Sequence, residues 1–424
     1  MKRNIWTFVV MLLLTALVAS ACAPAPTPTP TPKPKPTPTL SPPTATPKPA
    51  FEGPIKVGMM TVMTGPAASV GMEQRNWAKL AVDQFNEAGG VQGIKVEMVE
   101  GDTEFDPAKS MLVAERMAAD STIYGIVGPE SSQNCAATAE IFEKVSLAYI
   151  SPSGTGSDLS EQGYKTFFRV VPRDDVQAPA DAIFMAKDLE AKSVYIIDDQ
   201  SVYSVGLADE AEKKLKELGV TEIKRESISQ KDSDFSALLT LVKAESPDVV
   251  FIPIQLASQG AQIAKQMQEL GVKAHLVGSD GQFSPSDFIA GAEGATEGAY
   301  VSQFAPDVHY IPEAESAWKA YEAQYGEFGA YGPPAYESMA ILLGGIKRAF
   351  EKDGQITREN VLREVKATRD RPGILGFKVT FNEKGDATGA AFYIFKVVGD
   401  HFELVKKGEG VRALVLSGGG LAPA

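Results

Sequence analysis

Hydrophobic positions after residue 50 follow two alternating periods. Short apolar or alternating runs, typical of strands, are each followed by longer stretches in which apolar residues recur at helical spacing. In the first part of the chain this pattern predicts strands at residues 55–60, 94–99, 123–127 and 147–150, and helices at residues 72–87, from 107 onward and at 132–145. A strand–helix alternation of this kind predicts a parallel sheet covered by helices on both faces.

The same alternation then starts again. Helices are predicted at residues 177–189, 202–218, 235–244 and 258–270, and strands at residues 193–197, 223–228, 248–252 and 275–277. Two consecutive units of this size predict an α/β protein with two Rossmann-like lobes.

The last part of the chain is less regular. It predicts helices at residues 318–325, 334–352 and 358–366, and an antiparallel strand pair at 377–381 and 392–398 that turns at 383–386. These elements are too few for a third core, so we expect them to complete the first two through a multi-strand hinge. The predicted lobes are then 51–173 plus about 306–372, and 174–305 plus about 373–406, followed by a tail at 407–424.

The N-terminus has the pattern of an export signal. Lys2 and Arg3 precede an apolar run at residues 5–18, which small residues and Cys22 follow. The run is too short to be a permanent membrane span. This predicts a lipoprotein-type signal at residues 1–22 with lipidation of Cys22; plain cleavage of the signal is the alternative. The proline- and threonine-rich residues 23–50 predict a disordered linker.

Composition and charge exclude some classes of function. The 424 residues carry a net charge of −13, and 44% of them are hydrophobic, as in globular proteins. Five of the 41 basic residues and none of the 54 acidic residues lie in residues 1–50, so the rest of the chain has a net charge of −18. Such a surface argues against nucleic acid as a partner and makes any membrane association depend on the lipid.

The sequence contains little catalytic chemistry. It has two cysteines and three histidines, and it lacks the G-x-S-x-G, P-loop and H-E-x-x-H motifs. Cys135 is expected to be a buried small hydrophobic residue, and carboxylates such as Asp198–Asp199, Asp232 and Asp234 are expected to be mostly solvated. We therefore expect a protein that is not an enzyme and has no metal or cofactor.

Short polar motifs follow four of the predicted strands. In open α/β sheets, ligands bind outside the carboxyl ends of the strands, and a helix N-terminus with nearby hydroxyl groups suits a small anion. Each motif alone is also an ordinary helix cap or turn. Their placement at equivalent strand ends favours binding; the motifs are 128–133, 151–155, 199–203 and 278–281.

These motifs resemble those of the type I periplasmic binding proteins of the leucine/isoleucine/valine group, which serve ABC importers. The resemblance extends from Ile55 to about Val398 and rests on the order and spacing of several motifs: 55–58, 64–66, 86–91, 128–132, 151–155 and 381–386. It implies two hinged lobes that capture an amino acid and deliver it to a membrane permease. It also implies an exported monomer, periplasmic or lipid-anchored to the outer face of the cell membrane.

The resemblance also implies ligand-binding residues. Ser132, Ser153 and Thr155 would hold the α-carboxylate and offer a backbone carbonyl to the ammonium group, which Asp280 would pair with. Tyr203 and Tyr331 would cover the ligand. The sequence departs from the leucine-type pattern at three places. Val70 and Gln255 stand at positions that are often aromatic, and Phe105 and Ser131 stand where some members have a disulfide.

Several alternatives stay open at this point. The ligand could be a branched-chain, polar or aromatic amino acid, or a non-amino-acid molecule such as an amide or urea. The protein could also report its ligand as a sensing receptor instead of delivering it. An enzyme built on the same architecture is a further alternative, disfavoured by the scarce histidines. The role of the glycine-rich tail is open.

Overall fold

Two sheets, the first fully parallel and the second mixed, organise the chain in the computed structural model, which describes residues 53–407. The predicted lipidation site Cys22, the linker and most of the tail lie outside these residues. Among the described residues, no helix combines the length and the apolar character needed to cross a bilayer.

The first sheet has five parallel strands in the order β2-β1-β3-β4-β5. They are β1 (Ile55–Thr61), β2 (Val96–Asp102), β3 (Ile123–Val127), β4 (Tyr149–Ser151) and β5 (Phe167–Arg169). The connecting helices are α1 (Ala68–Glu87), α2 (Pro107–Ala119) and α3 (Ser132–Lys144). Local capping fixes where two of these helices begin, because Asp106 and Ser131 accept hydrogen bonds from Lys109 N and Asn134 N.

The second sheet has seven strands in the order β12-β11-β10-β9-β8-β6-β7. Its strands are β6 (Ser193–Asp198), β7 (Glu222–Ser227), β8 (Val249–Ile252), β9 (His275–Gly278), β10 (Tyr300–Gln303), β11 (Tyr393–Val398) and β12 (His401–Lys407). Its helices are α4 (Asp174–Ile183), α5 (Val202–Glu217), α6 (Ser236–Glu245) and α7 (Ala257–Leu270). The two α/β units predicted from the hydrophobic pattern are therefore present.

Three late helices pack on the first sheet although they follow the second unit in sequence. They are α8 (Glu315–Tyr325), α9 (Gly332–Asp353) and α10 (Arg358–Lys366). Apolar residues of α8, α9 and α10 share one buried cluster with β1 and α1, in which Trp77 stacks on Tyr321 at 4.5 Å between ring centroids. The chain therefore passes from the first sheet to the second, back to the first, and again to the second.

The predicted antiparallel pair at the end of the chain is wrong in one partner. Residues 393–398 pair with β10 and β12, whereas residues 377–381 make only isolated bridges, at Val379 and Phe381. Both residues are fully buried in the core of the first sheet, together with Ile374 and Leu375. The boundary predicted at 372/373 assigns these four residues to the other lobe. The predicted pair is absent because Val379 and Phe381 pack in the first core, while β10 and β12 occupy the two edges of β11.

A buried ion pair holds the loop that follows β4. Arg169 Nε donates to Asp386 Oδ1 at 2.6 Å, and the two side chains are 0% and 7% exposed. The same guanidinium donates to the carbonyls of Gly154 and Gly156 at 3.1 and 2.8 Å and to Ser160 Oγ at 2.8 Å. One side chain thereby connects the end of the first sheet, the 154–160 loop and the turn at residue 386.

We expect Arg169→Met to lower the free energy of unfolding by about 3–5 kcal/mol, because it leaves the buried Asp386 carboxylate with two longer contacts, to Arg173 at 3.5 Å and to Asn382 Nδ2 at 3.4 Å. Urea denaturation measures this value. Lys384→Met, in the same turn, removes an exposed ion pair with Glu161 and should cost less than about 1 kcal/mol. Equal losses in the two variants would contradict this role of Arg169.

Candidate functional site

A cleft that opens to solvent lies at the carboxyl ends of strands from both sheets, with about 610 Å³ of space when the solvent at its mouth is included. Segments after β1, β2, β3 and β4 line it from the first sheet, and segments after β6, β8 and β9 line it from the second. Tyr331, the residue before α9, completes it. Its lining residues are Val62, Pro66, Ala67, Val70, Phe105, Glu130, Ser131, Ser132, Ser153, Tyr203, Gln255, Ala257, Asp280, Gly281, Asp287 and Tyr331.

Asp280 accepts hydrogen bonds from three side chains, more than any other described side chain that lines the cleft. Its Oδ1 accepts hydrogen bonds from the Tyr203 hydroxyl at 2.6 Å and from Gln177 Nε2 at 2.8 Å. Burial raises the pKa of this carboxyl to about 6, although the hydrogen bonds from Tyr203, Gln177 and Tyr331 lower it. Gly281 lets the loop approach the end of β8, since a Cβ there would lie 2.2 Å from the Ile254 carbonyl oxygen.

Two further buried carboxyl groups lie behind Asp280 on α4. Gln177 Nε2 also donates to Ser302 Oγ at 2.9 Å, and Ser302 donates to Asp181 Oδ2 at 3.2 Å. Asp174 lies on the same helix, and burial raises its pKa to about 8. Burial also raises the pKa of Asp181 well above its usual value. This side of the cleft therefore concentrates acidic groups in a poorly solvated region.

Hydroxyl groups and a glutamate form the opposite side. Ser153 Oγ donates to the Glu130 carbonyl at 2.6 Å and accepts from Gln74 Nε2 at 2.8 Å. Ser132, the first residue of α3, accepts from Gly156 N at 3.0 Å. Gly128 makes the approach to this loop possible, because its φ is +107° and a Cβ would lie 1.9 Å from the Met60 carbonyl oxygen.

Two hydrogen bonds connect the sides of the cleft. The Tyr331 hydroxyl, at the start of α9, donates to the backbone carbonyl of Asp280 at 2.6 Å. Ser69 Oγ, on α1, donates to Asp287 Oδ2 at 2.6 Å. Both α1 and α9 pack on the first sheet, whereas Asp280 and Asp287 follow β9 of the second.

The structure brings seven of the eight predicted ligand residues to this cleft: Val70, Ser132, Ser153, Tyr203, Gln255, Asp280 and Tyr331. Thr155 is not among the residues that line it. Its hydroxyl lies beside the Asp174 carboxyl, and its backbone carbonyl accepts from Asp174 N at 3.0 Å. Thr155 therefore contacts the acidic group on α4 behind the cleft surface.

The expectation of solvated carboxylates is wrong for Asp198 and Asp199, which are 1% and 3% exposed. Asp198 accepts from Arg225 Nε at 2.7 Å. Asp199 Oδ2 accepts from Gln255 N at 2.8 Å and so positions a residue of the cleft. Asp232 and Asp234 are exposed, and Cys135 is fully buried, as expected.

Four polar residues of the site were not predicted. Gln74, Gln177 and Ser302 are fully buried, and Glu130 is 5% exposed. Gln74 and Gln177 lie within helices and Ser302 within a strand, where single polar residues are common and give no signal in the sequence. Glu130 lies within the predicted 128–133 motif, although it was not singled out there as a site residue.

Comparison with known proteins agrees with this arrangement. The family model described as periplasmic binding protein matches residues 54–402, which include every residue of the cleft and both sheets apart from most of strand β12. The chain belongs to the periplasmic binding protein family. The resemblance seen in the sequence is therefore confirmed, and so is the type I fold with its two α/β sheets.

This periplasmic binding protein aligns with nearly the whole length of its relatives. The Leu/Ile/Val-binding protein BraC3 of Rhizobium johnstonii is 30% identical over 348 residues, 82% of this chain and 93% of that protein. A leucine binding protein from Thermotoga maritima superposes with a TM-score of 0.77 at 27% identity, covering 84% of this chain and 99% of that one. A branched-chain amino acid transporter substrate binding protein from Streptococcus pneumoniae, solved with isoleucine, gives 0.75 at 25% identity, covering 84% and 100%.

The hydrogen bond from Tyr203 should hold the pKa of Asp280 down in this periplasmic binding protein. We expect Tyr203→Phe to raise that pKa above its present value of about 6, because the ionised carboxylate loses a donor. Carbon-13 NMR titration of labelled aspartate carboxyls measures the shift, with Asp280→Asn to assign the signal. Tyr310→Phe, at an exposed position, should leave the signal unchanged; an unshifted pKa in Tyr203→Phe would contradict the prediction.

Proposed function

We propose that this protein is the extracytoplasmic substrate-binding component of an ABC importer and that it captures an α-amino acid, branched-chain or related, without chemically changing it. One observation carries the proposal: Asp280 is a buried carboxylate at the cleft, and none of the described residues that line the cleft is Lys, Arg or His. A buried charge needs a counter-charge, and the α-ammonium group of an amino acid supplies one.

The opposite side of the cleft suits the other end of the ligand. The hydroxyl groups of Ser132 and Ser153 and the N-terminus of the 13-residue α3 are favourable for an α-carboxylate. The zwitterion would then be held by groups that follow strands of both sheets. The names of the relatives, which include leucine-, isoleucine- and valine-binding proteins, support the amino acid class.

Closure of the cleft follows because the ligand contacts are divided between its two sides. In the proposal the two sheets are the cores of two hinged lobes, with residues 51–173 plus about 306–372 in one and 174–305 plus about 373–406 in the other, except that Ile374, Leu375, Val379 and Phe381 pack in the core of the first. A ligand held from both sides stabilises the state in which they meet, through contacts made only there. The closed monomer would deliver the amino acid to a membrane permease, a partner that the family supports.

Asp280→Ala should weaken amino acid binding by a hundredfold or more, because breaking a buried charge pair costs about 3–5 kcal/mol. Isothermal titration calorimetry with leucine, isoleucine and valine measures the affinity. Asp232→Ala removes an exposed carboxylate from the same sheet's loops and should bind as the unchanged protein does. Unaltered affinity in Asp280→Ala would refute the assignment of the ammonium site.

Anchoring by lipid at Cys22 is the second part of the proposal. We expect Cys22→Ala to move the protein from the membrane fraction to the soluble extracytoplasmic fraction, because the acidic body gives no membrane affinity of its own. Fractionation of cells producing the full chain measures this. Cys135→Ala changes the buried cysteine and should leave the protein in the membrane fraction. Labelling with radioactive palmitate tests the lipid itself, and an unlabelled unchanged protein would contradict lipidation.

A further inference from the structure

The charges that line the cleft are all of one sign. Glu130, Asp280 and Asp287 contribute three carboxyl groups, and the described lining residues include no basic side chain. An α-amino acid that is neutral overall supplies one ammonium group, which Asp280 would take, and one carboxylate. The other two acidic groups are then left without a counter-charge from the ligand.

Glu130 shows the imbalance most clearly. It lies on the opposite side of the cleft from Asp280, in the loop between β3 and α3, and is 5% exposed. Its Oε1 accepts from Thr103 Oγ1 at 2.9 Å and from Asn134 Nδ2 at 2.7 Å. Its Oε2 is buried and has no hydrogen-bond partner among the described residues. A buried carboxyl oxygen without a donor is costly, so a donor from a ligand would be favourable there.

We infer that Glu130 is a specificity-determining residue and that the ligand is an amino acid whose side chain ends in a cationic, N–H-donating group. This inference rests on the proposed capture of an α-amino acid and differs from it in the side chain, which is cationic instead of branched-chain. The side-chain cation would pair with Glu130 while the α-ammonium group pairs with Asp280. Val62, Pro66, Ala67, Val70 and Phe105 line the same cleft, and their apolar surface suits the methylene stem of a long basic side chain.

The protonation of Glu130 agrees with a role for an external cation. Burial raises the pKa of this carboxyl to about 7, and the nearby Asp102 raises it slightly further, whereas the residue's own backbone N–H, Thr103 and Asn134 lower it. In the free protein the group is therefore divided between its neutral and ionised forms near neutral pH. A bound cation would favour the ionised form and offset the cost of its burial.

A second orphaned acceptor supports the same class of ligand. Gln255 lines the cleft, and its Oε1 is buried without a hydrogen-bond partner among residues 53–407. The described side chains of the cleft thus leave two hydrogen-bond acceptors, on Glu130 and Gln255, without donors. A hydrocarbon side chain, as in leucine, would supply none, whereas an ammonium or guanidinium group supplies three or more.

Matched ligands test the inference directly. L-Norleucine has the carbon chain of L-lysine without the terminal ammonium group, so calorimetry with both isolates the contribution of the cation. We expect L-lysine or L-arginine to bind at least tenfold more tightly than L-norleucine and L-leucine. Norleucine or leucine binding equally or more tightly would overturn the inference, and so would tighter binding of L-glutamine, whose donors are neutral.

Matched variants identify the residue. Glu130→Gln keeps an oxygen that can accept from Thr103 and Asn134 but removes the charge, so it should weaken lysine or arginine at least tenfold and change norleucine less than threefold. Glu130→Leu should reverse the preference toward norleucine, and circular dichroism checks that both variants fold. Glu140→Gln makes the same change at an exposed position of α3 and should bind all ligands as the unchanged protein does.

The outcomes separate this inference from the proposed function. If leucine binds, Asp280→Ala abolishes that binding and Glu130→Gln has no effect on any ligand, the amino acid function stands and the inference on Glu130 is wrong. If neither neutral nor cationic amino acids bind the unchanged protein, both are wrong.

Discussion

Buried carboxyl groups that receive no hydrogen bond from a cationic side chain among the described residues are the constraint on which the cleft depends. The described donors to the Asp280 carboxylate, from Tyr203, Gln177 and Tyr331, are all neutral, and Asp174 and Asp181 lie behind it in the same poorly solvated region. Neutral donors offset part of the cost of burying a charge, but a full counter-charge offsets more. The free protein therefore has a site whose favourable partner is positive and comes from outside.

The contrast with Arg169 and Asp386 shows that the fold can satisfy a buried acid when its position is structural. There the counter-charge is a side chain of the same chain, and its remaining donors are used by the carbonyls of Gly154 and Gly156. This network fixes the loop that presents Ser153 to the cleft. An internally paired carboxylate thus holds the site in place, and the unpaired ones at the cleft are left for a ligand.

Much of this architecture could be predicted from the sequence because it follows from local patterns. Apolar runs predict the buried parallel strands, and ligand sites in such sheets lie at the strands' carboxyl ends, which is why seven of eight predicted residues reach one cleft. The short strand β5 and the strand β10 were missed, since Arg169, Ser302 and Gln303 interrupt their apolar patterns. All three polar residues are fully buried. Their burial is favourable because of hydrogen bonds that form in the folded protein, such as those of Arg169 with Asp386 and of Ser302 with Gln177.

The remaining errors have the same origin. The pairing of β11 with β10 joins segments about ninety residues apart, and no turn between them marks it in the sequence. The burial of Asp198 and Asp199 depends on Arg225 from the neighbouring strand and on the backbone of Gln255. Likewise, the chain from Tyr203 through Asp280, Gln177 and Ser302 to Asp181 joins four separate elements. Hydrogen-bond networks of this kind are specified by the fold as a whole.

Asp280 also connects ligand recognition to closure. Its side chain is the proposed partner of the ammonium group, and its backbone carbonyl accepts from Tyr331, at the start of a helix packed on the other sheet. A cation that orders the Asp280 side chain therefore acts on the same residue that makes the contact across the cleft. The carboxylate and the carbonyl belong to one short loop, which is fixed because Gln282 Nε2 donates to the Ile254 carbonyl. A displacement of the carboxylate therefore also displaces the carbonyl. In the proposed mechanism, ligand binding and closure of the cleft are then coupled through the single residue Asp280.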